Sequence, residues 1–264
     1  MLELTTDALR GCAIEGIFTD IDDTLTTEGE ITADALGALA RLHAAGIPVV
    51  PITGRPVGWS EPFARAWPVK AIVAENGAVA VLPDGRKIYQ QSSLERAANF
   101  TRMQAVAARV LRDVPGARLA QDSAGRETDI AVDHSEFTHL PQSAIEHVVK
   151  IMRSAGMQAT VSSIHINGWY GSHDKLEGAK WIVRELFGRK LDDEIDHWVY
   201  VGDSTNDVLM FEHFPLSMGV ANIRRFETQL SHAPKWITPS ERGAGFAEAA
   251  AAILQATSSR SSIG

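Results

Sequence analysis

Short apolar runs alternate with amphipathic stretches along the first third of the chain. Residues 14–19, 47–52 and 71–74 are mostly apolar and of strand length. Between the first two, Leu36, Leu39 and Leu42 fall near helical spacing behind Thr32, a candidate N-cap, and Gly46 ends the pattern. A shorter helical stretch covers residues 59–66. This βαβαβ rhythm predicts a parallel sheet with crossover helices.

The rhythm changes at Glu75-Asn76-Gly77. Residues 79–82 and 87–89 flank Pro83-Asp84-Gly85-Arg86, the signature of a hairpin. Helical patterns over 94–111 and 141–155 then mix with extended stretches at 127–132, 157–161 and 164–167. The parallel rhythm returns with a helix over 175–187, a strand at 197–201, a helix at 207–213, a strand at 216–220 and a helix over 246–254. The Ser-rich residues 257–264 read as a flexible tail. The expected fold is therefore α/β: a Rossmann-like parallel sheet with helices on both faces, built from residues 1–83 and 171–256. An α+β unit is inserted at 84–170.

Composition narrows the function. A hydrophobic share of 45% supports a buried core, and 25 Lys and Arg against 33 Asp and Glu leave a net charge of −8. With no long basic run, nucleic acid and anionic membranes are poor partners. Neither an apolar leader nor a run of membrane-spanning length is evident, so a soluble, cytoplasmic protein is expected. Cys12 is the only cysteine, which excludes an internal disulfide and any multi-cysteine zinc site. Nothing in the sequence fixes an oligomeric state.

The chemistry concentrates where apolar runs end. Asp20 and Asp22 follow residues 14–19 and, on an extended chain, point to the same side. Such a pair is costly beside a buried strand without a cation or a reaction, and it suits metal binding, nucleophilic attack and proton transfer. Thr53-Gly54-Arg55-Pro56 follows the second run, and Gly202-Asp203-Ser204-Thr205-Asn206-Asp207 follows residues 197–201. Gly171-Ser172-His173-Asp174-Lys175 opens the helical pattern after the insertion. In an open parallel sheet, ligands sit beyond the carboxyl ends of the strands, so these motifs are expected at one shared site.

Together these residues resemble the haloacid dehalogenase superfamily of phosphotransferases, specifically its Cof-like subclass IIB with a large α+β cap. Asp20, Asp22 and Thr24 match the DxDx[TV] motif, Thr53 the second motif, Lys175 the third, and Gly202, Asp203 and Asp207 the GDxxxD motif. The class has Gly directly after the motif-three Lys. Here Leu176 follows, and Gly178 lies further on.

The resemblance implies that Asp20 is the nucleophile and Asp22 the general acid and base, assisted by Thr53 and Lys175. It implies Mg²⁺ at a site built from Asp20, Asp22, Asp203 and Asp207, with Asp20 and Asp203 ligating through side chains and Asp22 through its backbone carbonyl. Asp207 would orient a water of the metal or hold Lys175. Substrate contacts are expected from Thr53, Gly54, Arg55, Lys175 and Asn206, and from His165, Asn167 and Trp169 of the cap. The implied activity is hydrolysis of a small-molecule phosphate monoester, such as a sugar phosphate or glycosyl-acid phosphate, through an aspartyl phosphate. A phosphomutase of similar core and cap, and a non-catalytic phospho-ligand sensor, are the alternatives.

Overall fold

The computed structural model describes residues 1–261. Its main sheet runs in the order Leu2–Glu3, Trp236–Ile237, Leu216–Gly219, Trp198–Gly202, Gly16–Thr19 and Val49–Pro51, and every neighbouring pair is parallel. Alternation along the strands sorts their side chains between two cores. Ile17, Val49, Val199 and Val201 pack with the helices Ala33–Ala44, Val57–Ala66 and Arg242–Ser261. Phe18, Val50, Trp198 and Tyr200 pack with Lys175–Phe187 and Val208–His213. Burial on both faces is why these strands read as unbroken apolar runs.

The third expected strand behaves differently from the first two. Ile72–Ala74 touches the main sheet through one parallel bridge, Ile52 to Val73, and otherwise pairs antiparallel with Val79–Val81. Lys87–Tyr89 adds to that pair, so it extends the edge of the core although it lies within the expected 84–170 insertion. Between them, Glu75, Asn76 and Gly77 have φ of 50°, 56° and 108°. This left-handed run reverses the chain beside the carboxyl ends of the main strands.

The inserted cap has its own antiparallel sheet, ordered Gln158–Val161, His165–Trp169, Asp129–Asp133 and Arg118–Leu119. Helices Ser93–Asp113 and Gln142–Ser154 contribute Met103, Val110, Val148 and Met152 to an apolar cluster with Val132 and Ile166 from that sheet. A capping box between Ser92 and Glu95 starts the longer helix just after the core edge.

The tail expected at 257–264 is helical as far as it is described. The last helix runs Arg242–Ser261, and residues 262–264 lie outside the described residues. No Gly or Pro interrupts residues 246–261, so nothing local stops the helix after Leu254. No helix among the described residues is long and apolar enough to cross a membrane.

Candidate active site

The site lies where the main strands end and the cap returns to the core. The Asp20 N–H donates to the Val201 carbonyl at 2.9 Å, which holds the end of one central strand against its neighbour. Helix Lys175–Phe187 starts here, with the Asp174 carboxylate accepting from the Glu177 N–H at 2.8 Å. That start places Lys175 Nζ 3.0 Å from Asp20 and 2.7 Å from Asp207. All three side chains are buried. Lys180 instead pairs with Glu177 and Asp192 at the surface.

Asp207 spends its acceptor capacity inside the protein. One oxygen receives Lys175 and the Tyr200 hydroxyl, and the other receives the N–H groups of Asp203 at 2.9 Å and Ser204 at 3.2 Å. Asp203 is freer: it accepts from Asn222 at 3.0 Å and more distantly from the Thr24 hydroxyl at 3.5 Å. Asp20, Asp203 and Asp207 each offer an oxygen within 4.8 Å of the others, a group able to hold a metal ion.

The electrostatics favour binding of a cation. Burial, with Asp207 and Asp22 nearby, pushes Asp20 up to about 7 against the pull of Lys175. Burial and the charges of Asp20 and Asp207 raise Asp203 well above the usual carboxylate range. Burial works against the Lys175 ammonium, but Asp20 and Asp207 hold it above its ordinary value. One ammonium does not balance three buried carboxylates. A hard cation with oxygen ligands at Asp20 and Asp203 would supply the difference.

The Asp22 carboxylate lies outside that metal-competent group. It is gripped by Arg55, whose Nε donates to its two oxygens at 3.0 and 3.1 Å. The buried Thr53 hydroxyl accepts from the Arg55 N–H at 3.0 Å, which leaves its own proton to donate. Asn206 accepts from Ser204 at 2.7 Å through its oxygen and keeps its amide N–H groups for another partner.

Gly54, Arg55, Asn206, His165 and Asn167 share a small cavity with Asp20 and Asp22. Its volume is about 10 Å³, room for about one water, so the docked cap closes the site. A larger space of about 340 Å³ opens from Asp22 and Arg55 towards Glu136, Phe137 and Ile164. Another, of about 390 Å³, opens from Lys175 and Asn206 towards Arg153 and Val161. Trp169 borders this second space, stacked 5.6 Å from the His173 ring and away from Asp20's cavity.

Both expected polar cap residues have partners within the protein. His165 Nε2 lies 2.8 Å from Glu136. Asn167 donates to the Gly54 carbonyl at 3.2 Å and to Asp129 at 3.0 Å. Around them runs a buried polar seam between core and cap that sequence reading missed. Arg126 donates to the Gly54 carbonyl at 2.9 Å and pairs with Asp129 and Asp122. Glu75 accepts from the Val57 and Glu127 N–H groups and from the Thr128 N–H and hydroxyl. Burial and the Asp129 charge push Glu75 up to about 7. Only the left-handed turn at 75–77 had a trace in the sequence, in Glu75-Asn76-Gly77.

Residues 17–109 match the family model of haloacid dehalogenase-like hydrolases. No curated protein matches the chain in sequence. Among solved structures, a putative HAD/COF-like hydrolase from Plasmodium vivax is 15% identical, with a TM-score of 0.69 and coverage of 95% of this chain and 99% of that one. A HAD subclass IIB sugar phosphatase is 16% identical, with a TM-score of 0.64 over 91% and 99%. The sucrose-phosphatase of Synechocystis, solved with sucrose and phosphate, is 14% identical, with a TM-score of 0.66 over 89% and 96%. At these identities the likeness speaks to the fold. The segment that matches the haloacid dehalogenase-like hydrolase family carries Asp20, Asp22, Thr53 and Arg55, and the chain as a whole shares the fold of these solved hydrolases.

Proposed function

We propose that this protein is a Mg²⁺-dependent phosphatase that hydrolyses a small-molecule phosphate monoester, a sugar phosphate in particular, through a phosphoryl group carried on Asp20. The observation that carries this reading is the contact between Asp20 and Lys175 beside Asp203, with Asp20 and Asp22 bordering one cavity.

Mg²⁺ suits the donor set, and would be held by the Asp20 and Asp203 carboxylates and the Asp22 carbonyl, supplying positive charge between the nucleophile and the phosphoryl oxygens. In the first step an Asp20 oxygen forms a bond to phosphorus. The bond to the leaving oxygen breaks, and Asp22 gives that oxygen its proton. In the second step a water attacks phosphorus, passes its proton to Asp22, and releases Asp20 and inorganic phosphate. One carboxyl serves both steps because the second reverses the proton demand of the first. Lys175, the Thr53 hydroxyl and the Asn206 amide offer donors to the phosphoryl oxygens, each worth a few kcal/mol when aimed in advance. Asp207 holds Lys175 rather than the cation, because its oxygens are already engaged.

The leaving group would occupy the space beyond Asp22. Asp23 and Glu28 offer acceptors there for sugar hydroxyls, and Phe137 offers an apolar face. The two sugar-phosphatase neighbours support this substrate class. Phosphate release from a panel of sugar and polyol phosphates, with and without Mg²⁺, tests the reading. Mg²⁺-dependent release that Asp20→Asn abolishes is expected. Isomerised sugar phosphate without free phosphate would mean a mutase, and binding without turnover would mean a sensor.

A further inference from the structure

We infer that Arg55 is a positioning residue that makes the aim of Asp22 depend on the docked cap, an inference that rests on the acid–base role proposed for Asp22. Arg55 comes from the core loop after strand Val49–Pro51, yet its guanidinium joins both parts of the molecule. Its Nε reaches the two Asp22 oxygens, and Nη2 lies 3.0 Å from Asp22. The same Nη2 donates to Glu136 at 2.9 Å, and Nη1 lies 3.4 Å from Asp122, both on the cap. The residue is 7% exposed, with Trp59 about 5.3 Å from its charge.

The cap side of this contact is itself held firmly. The Asp133 carboxylate accepts the N–H groups of Ser135, Glu136, Phe137 and Thr138, which fixes the loop that carries Glu136. His165 takes the other Glu136 oxygen. Burial opposes ionisation of Glu136, but His165 and Arg55 bring it down to about 2, so it stays an anion for Arg55. Arg126 holds Asp122 in turn. A planar guanidinium fixed by two cap carboxylates can present only one orientation to Asp22. With the cap away, Arg55 loses both supports and Asp22 loses its fixed partner. Three carboxylates around one guanidinium also leave little capacity there to bind an anionic part of the substrate.

The test uses the full-length protein with Mg²⁺ and two substrates. Glycerol phosphate needs a proton on its leaving oxygen, whereas p-nitrophenyl phosphate releases a stable anion. Asp22→Asn supplies the reference pattern. Turnover of glycerol phosphate collapses, and p-nitrophenyl phosphate gives a rapid burst of nitrophenolate followed by slow turnover, because only the second step needs the base. Arg55→Lys is expected to reproduce that pattern, with kcat on glycerol phosphate down about a hundredfold and KM little changed. Glu136→Gln, on a partly exposed cap loop, is expected to show the same burst in milder form, and it carries the test if Arg55→Lys fails to fold.

Equal losses on both substrates without a burst, or a rise in KM alone, would overturn the inference. Failure of the proposed function has a different mark: wild-type protein inactive on both substrates, or Asp22→Asn without a burst.

Discussion

Gly178 packs its α-carbon against Gly77 so closely that a methyl group on Gly178 would lie 2.6 Å from the Gly77 Cα. A methyl on Gly77 would in turn meet the Asp174 carbonyl. The left-handed turn at 75–77 and the first turn of helix Lys175–Phe187 therefore nest backbone to backbone, and Lys175 begins that helix. The class places its glycine directly after the lysine. Here Leu176 stands there, and Gly178 provides the close approach to Gly77 that seats the helix start.

Gly178→Ala should force these backbones apart. We expect a loss of about 1–3 kcal/mol of stability together with reduced kcat, because Lys175 moves with its helix. Gly37→Ala is the control: its helix site meets only the end of the Arg41 side chain at 3.5 Å, so that variant should be neutral or stabilised. Thermal melts and phosphate release on both variants check this. A fully stable and active Gly178→Ala would remove the proposed coupling.

Lys175→Met leaves Asp20 and Asp207 buried without their shared cation. Removing one partner of a buried ion pair costs about 3–5 kcal/mol, so the melting temperature should drop clearly in the metal-free protein. Turnover should fall by about a hundredfold or more as the phosphoryl oxygens lose a fixed positive donor. Denaturant melts and steady-state kinetics read the two effects separately.

Metal binding should raise the melting temperature, because a cation that binds only the folded state stabilises it by mass action. Millimolar Mg²⁺ is expected to shift the wild-type melt upward and to leave Asp203→Asn nearly unshifted. Asp207→Asn should keep most of the shift while losing activity, since Asp207 serves Lys175 and the backbone rather than the ion. The reverse ranking of these two variants would make Asp207 the ligand.

His173 gives a pH signature away from the acidic site. Burial lowers it from 6.5 to about 4, its ring stacks on Trp169, and its Nε2 has no hydrogen-bond partner. Between those pH values the unfolded chain binds more protons than the folded one. This contribution is therefore complete above 6.5 and is lost as pH falls towards 4. His173→Phe keeps an aromatic ring on Trp169 and removes the proton, so its melting temperature should gain on wild type steadily from pH 7 to pH 5. A constant difference over that range would contradict the assignment.

How much of this was legible in the sequence depended on how local the cause was. Strands buried on both faces announced themselves as apolar runs, and the polar motifs after residues 17–19, 49–51 and 198–202 marked the strand ends. Asp20, Asp203, Asp207 and Lys175 were therefore legible in the sequence. The core–cap seam was not, because Arg126 and Asn167, joined through Asp129, reach the Gly54 carbonyl only once the cap folds onto the core, which no spacing reveals. Glu136 looked like any loop acid until Arg55 and His165 closed on it. Asp22 was expected to offer its backbone carbonyl to a metal and its carboxylate to proton transfer, but no spacing showed that Arg55 would grip that carboxylate. The tail misled for a simpler reason: Thr257 and Ser258 looked like coil, yet their hydroxyls bond back to carbonyls of the preceding helical turn.

The most direct measurement is to trap the enzyme during turnover. Acid quenching of the Mg²⁺-loaded protein milliseconds after mixing with p-nitrophenyl phosphate, followed by peptide mass spectrometry, should find one phosphoryl group on the peptide carrying Asp20. Asp20→Asn should carry none. A phosphoryl group on another residue, or steady hydrolysis with Asp20 never modified, would contradict the nucleophile assigned to this site.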